Sequence, residues 1–157
     1  MESFLGQLGL ALALGLGALG SAMGIGAAGR AASGAWAKEA KAGKRLNFSY
    51  IILIGMPLSQ TIYGFILTFV GLSDFMGKNP ERIAASAGAL LSIGIAGGLA
   101  EMVSAWVQGL IGAAGVRALS EGEGKGLVFI IIAMGIVETV GLFGFVFLLL
   151  VLRRFTG

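Results

Sequence analysis

The chain has 157 residues, of which 57% are hydrophobic and 12% are charged, and its net charge is +3. Soluble domains carry about 25% charged residues, so this composition indicates an integral membrane protein. Cysteine and histidine are absent, which excludes disulfides and histidine–metal sites, and nothing in the sparse charges indicates binding to nucleic acid.

Four long apolar segments follow one another and predict an all-α membrane protein. Each is longer than the roughly 20 residues that a helix needs to cross about 30 Å of hydrocarbon. The polar separators are too short for a soluble domain, so the segments form two tandem helical hairpins. The predicted spans are Ser3–Gly29, Leu46–Ser73, Ile83–Val116 and Gly126–Leu152.

The division of the chain follows from these segments. We expect a first transmembrane hairpin over residues 1–73, a connecting loop over residues 74–82 and a second hairpin over residues 83–152. Lysine and arginine are more numerous in the two hairpin loops than at the opposite side. The positive-inside rule therefore predicts a multi-pass protein of the cell membrane, with cytoplasmic hairpin loops and both termini outside.

The two hairpins resemble each other in sequence. The motif Gly-Ala-Ala-Gly closes the first span at residues 26–29 and the third at residues 112–115. Gln60-Thr61 in the second span matches Glu138-Thr139 in the fourth. This pattern indicates a parallel repeat in which one copy carries a carboxylate and the other an amide.

Small residues are concentrated on the first and third spans at three- and four-residue spacing. Such faces let helix backbones approach closely in a membrane. We therefore expect these two spans to form a tight inner ring, with the bulkier second and fourth spans outside. The residues concerned are Gly17, Gly20, Gly24 and Ala28 in the first span and Gly94, Gly98, Gly109 and Gly112 in the third.

Glu138 is the only charged residue of the fourth span and lies near its middle. An ionised carboxylate at that depth costs at least about 2.5–3.5 kcal/mol, so such residues mark ion or substrate pathways. The alternative is a protonated glutamate that only cross-links helices.

Other polar residues are predicted at a similar depth. Ser59, Gln60 and Tyr63 follow Pro57, which frees a backbone carbonyl, and the third span carries Gln108. With Glu138 and Thr139 they supply only oxygen ligands, which favours a hard cation such as Na⁺ over H⁺. Helix–helix hydrogen bonding remains an alternative role for Ser59 and Gln60.

Glu101 is a second carboxylate, seven positions before Gln108 on the third span. It is either a second ion site or a buried acid at a helix junction. No Ser, Gln or Tyr cluster is predicted level with it, so we expect the structural role.

Three motifs carry a resemblance to a known family. They are residues 57–65 (Pro-Leu-Ser-Gln-Thr-Ile-Tyr-Gly-Phe), Gln108-Gly109 with the following Gly-Ala-Ala-Gly, and Ile136-Val137-Glu138-Thr139. They resemble the rotor-ring proteolipid of V-type ATPases, called the K subunit in sodium-pumping bacterial enzymes. The resemblance implies a homo-oligomeric ring in the lipid bilayer.

The resemblance also implies a site and a mechanism. It implies that Na⁺ is held by Glu138, Ser59, Gln60, Gln108 and the backbone carbonyl of Met56, while Tyr63 hydrogen-bonds Glu138. The loaded site is neutral and can pass lipid, and it exchanges its ion beside a stator protein that supplies an arginine.

Central-stalk subunits are implied at the cytoplasmic loops, residues 30–45 and 117–125. No nucleotide motif of the form GxxxxGK[ST] is present, so we expect no catalysis by the chain alone. The alternatives from other classes are a small cation or multidrug antiporter that uses Glu138, and a structural membrane assembly protein.

Overall fold

A computed structural model describes residues 2–154 of the chain, so Met1 and residues 155–157 lie outside the description. Four of its helical segments are long and apolar enough to cross a membrane. The predicted all-α class and the two tandem hairpins are thereby confirmed. The four segments are Phe4–Lys41, Tyr50–Lys78, Pro80–Glu121 and Leu127–Arg154.

The first, third and fourth spans are single helices, whereas the second is assembled from several shorter turns. The helices are α1 (Glu2–Lys41), α2 (Tyr50–Gly55), α3 (Ser59–Ile66), α4 (Asp74–Lys78), α5 (Ile83–Glu121) and α6 (Leu127–Arg154). A 3₁₀ turn, Met56–Leu58, joins α2 to α3, and a π-helical segment, Leu67–Ser73, joins α3 to α4. A further 3₁₀ turn, Pro80–Arg82, precedes α5.

The helix α1 runs beyond its predicted end at Gly29, to Lys41. The predicted end is wrong because residues 30–41 are rich in alanine and lysine, which are strong helix formers in water as well. Gly43, with φ +66°, follows the helix and provides the left-handed turn that ends it. The helix α5 likewise continues past Val116 to Glu121.

The connection over residues 42–49 is tied back onto the end of α1. The Glu39 carboxylate accepts hydrogen bonds from the Tyr50 hydroxyl at 2.5 Å and from the backbone N–H of Asn47 at 2.9 Å. The Trp36 indole donates to the Asn47 carbonyl at 3.0 Å. These bonds set where the second span begins.

We call the end of the bundle with residues 42–49 and 122–126 the loop end.

Glycines bring α1 and α5 into direct backbone contact, which confirms the predicted close packing of the first and third spans. A Cβ atom added at Gly109 would overlap the backbone of Gly24, and one added at Gly94 would overlap the backbone of Gly9. The helix α6 packs on α5, and the second span contacts α1, α5 and α6. The inner position of α1 and α5 in a ring stays a prediction.

Two apolar clusters fill the two ends of the bundle, and a polar layer separates them. Toward the loop end lie Ala32, Ala35, Tyr50, Leu53, Val116, Leu119 and Met134. Toward the opposite end lie Ala13, Leu67, Leu72, Phe75, Leu90, Ile93 and Leu152. The buried polar residues between them are Ser21, Gln60, Glu101, Ser104 and Gln108.

Candidate functional site

Glu138 lies at the outer edge of this polar layer, partly buried on α6. Both of its carboxylate oxygens accept hydrogen bonds from other spans. The Tyr63 hydroxyl donates to Oε1 at 3.1 Å, and the Gln108 amide donates to Oε2 at 3.2 Å. These contacts join the second, third and fourth spans at one carboxylate, and the bond from Tyr63 is the one that the family resemblance implies.

The rest of the surface of α6 around Glu138 is apolar and exposed. Ile136, Val140 and Phe143 are each more than half exposed. A helix with this surface faces lipid or another membrane protein, because apolar side chains in contact with water would be unfavourable. The carboxylate therefore lies at the boundary between the bundle and its membrane-facing surface.

The turn around Pro57 brings three oxygens of the second span together. Proline has no backbone N–H, and the chain adopts a 3₁₀ turn here instead of a regular α-helix. The Ser59 hydroxyl lies 3.1 Å from the Met56 carbonyl and 3.1 Å from Oε1 of Gln60. One hydroxyl proton serves only one of these acceptors at a time, so the cluster is richer in acceptors than in donors.

Gln108 contributes a further acceptor, and this one is unpaired. Its side chain is fully buried, and its amide nitrogen donates to Glu138 and, at 3.2 Å, to the Met134 carbonyl. Its Oε1 has no hydrogen-bond partner among the described residues. A buried acceptor left in this state costs about 1–3 kcal/mol, which a bound cation would offset.

Ser104 is a member of this network that the sequence reasoning missed. Its hydroxyl accepts a hydrogen bond from the Gln60 amide at 3.2 Å and donates one to the Val137 carbonyl at 3.0 Å. It thereby orients Gln60 and connects α3, α5 and α6. Its spacing of four residues before Gln108 is the signal that places both on one face of α5.

Thr139 lies apart from the network, although its sequence position suggested a place in it. Its hydroxyl donates to the Ile136 carbonyl of its own helix at 2.6 Å, on an exposed face. Threonine hydroxyls within helices commonly donate a hydrogen bond to a backbone carbonyl of the preceding turn in this way. Thr139 therefore provides a natural control for substitutions at the site.

The oxygen atoms of this site, taken together as possible ligands, fit a monovalent hard cation. It consists of one carboxylate with neutral carbonyl, amide and hydroxyl oxygens, the ligands that hard cations prefer. Among the described residues, no three His, Cys, Asp or Glu side chains come together. One carboxylate balances one positive charge, so a site holding Na⁺ would be electrically neutral.

Glu101 is fully buried at the junction of α1, α5 and α6. Neither of its carboxyl oxygens has a hydrogen-bond partner among the described residues. A Cβ added at Gly141 would lie 2.7 Å from its Oε2, and one added at Gly17 would lie 3.4 Å from its Cβ. The Glu101 side chain thus occupies space that these two glycines leave free, and its carboxyl group has no oxygen shell of its own.

We expect Glu101→Gln to retain ion-coupled transport. Glutamine fills the same space, and a single carboxyl without ligand partners makes a poor Na⁺ site. The number of ions bound per chain, measured by equilibrium dialysis with radioactive Na⁺, should be the same in the variant and the parent. If the variant binds half as many ions, Glu101 is a second ion site.

The family assignment comes from a sequence-family model. The model for the C subunit of ATP synthase matches the chain twice, over residues 8–70 and 91–151, and the two matches together cover most of the chain. Each match falls within one of the two hairpins, which agrees with the tandem repeat. No significant match was found among curated proteins. The duplicated hairpins and the mid-span carboxylate are consistent with these two matches. The chain belongs to the family of ATP synthase C subunits, the membrane components of the ion-carrying rings of rotary ATPases.

Proposed function

We propose that this chain is the rotor-ring subunit of a V-type rotary ATPase and that it carries Na⁺ at Glu138. The observation that carries this proposal is the position of the Glu138 carboxylate at the membrane-facing edge of the bundle, held by Tyr63 and Gln108. A site at this edge exchanges ions with a neighbouring protein more readily than one in the bundle core.

The excess of acceptors supports Na⁺ as the transported ion. A proton needs only the Glu138 carboxylate, whereas this site also gathers Ser59, Gln60 and the Met56 carbonyl, and leaves Oε1 of Gln108 unpaired. The Ser59 hydroxyl lies 3.1 Å from both the Met56 carbonyl and Oε1 of Gln60, and such neutral oxygens are ligands that a hard cation prefers. Proton transport is the alternative ion specificity.

The coupling of rotation to transport follows from the charge of the site. With an ion bound, the site is neutral and its oxygens are satisfied, so it can face hydrocarbon. Without the ion, the Glu138 carboxylate is a bare charge whose transfer into lipid is strongly unfavourable. The ring therefore turns through lipid only with loaded sites and exchanges ions where a stator arginine and water compensate the carboxylate.

The partners in this proposal are further copies of the chain, a stator membrane protein and a central stalk. The stalk meets the loop end, for which the excess of lysine and arginine predicts a cytoplasmic position. Nucleotide hydrolysis belongs to separate soluble proteins of the complex. The family match supports neither a small antiporter nor a purely structural assembly protein.

Labelling by a hydrophobic carbodiimide tests the site and the ion together. The reagent modifies protonated carboxyl groups in an apolar environment, and we expect it to label Glu138 in the assembled ring. Na⁺ should protect against labelling at constant pH, because the ion displaces the proton from the carboxylate. Labelling that responds to pH and is unaffected by Na⁺ would show that the transported ion is H⁺.

Removing either glutamine should weaken Na⁺ binding. Gln60→Ala and Gln108→Ala each delete a ligand oxygen that no water can replace, at about 1–3 kcal/mol per lost partner, or roughly 5- to 150-fold in affinity. The Na⁺ concentration that halves carbodiimide labelling reports this change. Thr139→Ala is the matched control, since its hydroxyl bonds only to its own helix. Equal protection in all three variants would mean that the glutamines only connect helices.

A further inference from the structure

The side-chain amide of Gln60 has two possible orientations, and only one of them offers its oxygen to a cation. Rotation about the last side-chain bond exchanges Oε1 and Nε2, which differ little in shape but are acceptor and donor respectively. In the structure Oε1 lies 3.1 Å from the Ser59 hydroxyl, and Nε2 lies 3.2 Å from the Ser104 hydroxyl. The reverse orientation would turn N–H groups toward a bound cation and oppose its binding.

A series of hydrogen bonds with a fixed direction leads from α6 to this amide. It begins at the Val137 carbonyl, which has no hydrogen to donate and accepts the Ser104 hydroxyl at 3.0 Å. Because the single hydroxyl hydrogen of Ser104 is used in this bond, its oxygen is left as an acceptor toward Gln60. Only Nε2 of Gln60 can donate to that acceptor, so Oε1 is directed away from Ser104 and toward Ser59.

Ser104 reaches the Val137 carbonyl because α6 carries a glycine where the two helices cross. A Cβ added at Gly141 would lie 3.0 Å from the Ser104 hydroxyl oxygen and 3.1 Å from its Cβ, closer than side-chain atoms usually approach. The Gly141 N–H is the helical partner of the Val137 carbonyl, whose second lone pair remains for the hydroxyl. Ser104 is only 2% exposed, so bulk water does not compete for its hydrogen.

Gln108 is oriented in the same direction without an intermediate side chain. Its Nε2 donates directly to the Met134 carbonyl, three residues before Val137 on α6. Both glutamines therefore turn their amide nitrogens toward backbone carbonyls of α6, and Gln60 does so through Ser104. Both amide oxygens are left for other partners, and that of Gln108 is unpaired among the described residues.

We infer that Ser104 is a positioning residue that favours Na⁺ over H⁺, which rests on the proposed function of the site. With alanine at this position, the Gln60 amide of an empty site can turn and donate to Ser59. The amide of a loaded site must instead keep Oε1 on the cation and leave Nε2 buried without an acceptor, so Na⁺ binding carries the cost of an unpaired donor. Proton binding to Glu138 carries no such cost, because a proton needs no oxygen from Gln60.

The test compares Ser104→Ala with the parent in assembled rings, by the Na⁺ concentration that halves carbodiimide labelling of Glu138. Loss of the acceptor should raise this concentration about 5- to 150-fold, the effect of one buried unpaired donor. The pH at which labelling is half-maximal without Na⁺ should stay unchanged, whereas a general loosening of the bundle would alter both measurements. Ser92→Ala is the matched control on α5, because its exposed hydroxyl bonds to the Gly88 carbonyl of its own helix.

A double-variant cycle distinguishes positioning from an independent effect. A residue that acts through Gln60 has nothing to orient once that side chain is truncated, so Gln60→Ala and Gln60→Ala/Ser104→Ala should require the same Na⁺ concentration. A further loss in the double variant would overturn the inference, and so would a shift of the pH profile in Ser104→Ala. Equal Na⁺ protection of Ser104→Ala and the parent would overturn the inference alone. Absence of Na⁺ protection in the parent would refute the proposed Na⁺ site together with the role of Ser104.

Discussion

Replacing Glu138 with glutamine is expected to abolish ion-coupled transport and to leave the ring assembled. Glutamine keeps the shape of the side chain and still accepts a hydrogen bond from Tyr63, so the packing of the second, third and fourth spans is preserved. It removes the exchangeable charge, and the site can neither release nor rebind a cation. The expected loss of transport is therefore complete rather than partial.

Reconstituted vesicles containing the whole rotary ATPase provide the measurement. ATP-driven uptake of radioactive Na⁺ should fall to background in Glu138→Gln, and the size of the purified ring should be unchanged. Glu101→Gln is the matched control, because it makes the same chemical change in a buried carboxyl group that lacks ligand partners. Normal uptake in Glu138→Gln would refute the assignment of the ion site.

The second large effect is expected for Gly109→Ala, which should disrupt the packing of α1 on α5. The added Cβ would overlap the backbone of Gly24, and neither backbone can move without shifting its helix. Overpacking against a side chain costs about 1–3 kcal/mol, and overlap with a backbone is at least as unfavourable. The Gln108 side chain next to it would also lose its position.

Thermal stability and ring yield in mild detergent measure this effect. We expect Gly109→Ala to melt at a lower temperature and to yield fewer rings than the parent. Gly88→Ala is the matched control on the same helix, because nothing lies within 4 Å of a Cβ at that position. Equal stability of the two variants would show that close backbone contact between α1 and α5 contributes little to the assembly.

The architecture was largely predictable because the membrane simplifies the folding problem. A long uncharged segment in lipid has few options other than a helix, since its backbone groups must be satisfied internally. Four such segments with short separators leave a pair of hairpins, and the paired motifs reveal the repeat. The helix ends were less predictable, because α1 and α5 leave the hydrocarbon without leaving the helical conformation.

The sequence by itself determined that Glu138 is an isolated carboxylate at mid-span, and that Ser59, Gln60, Tyr63 and Gln108 lie at a similar depth. Depth follows from counting residues along each helix, so it needs no knowledge of contacts. Glycine spacing likewise indicated which helices approach closely, because a missing side chain on one face is visible in the sequence.

Only the tertiary structure decided how these residues meet. The rotation of each helix about its axis determines that Ser104 joins Gln60 to Val137, that Oε1 of Gln108 stays unpaired and that Thr139 faces outward. That rotation is set by packing between helices distant in the chain, above all by the glycine contacts of α1 and α5. Spacing within one helix shows which residues share a face. It does not show which residues of the other helices that face meets, and so the membership of the site became visible only once the four spans were packed together.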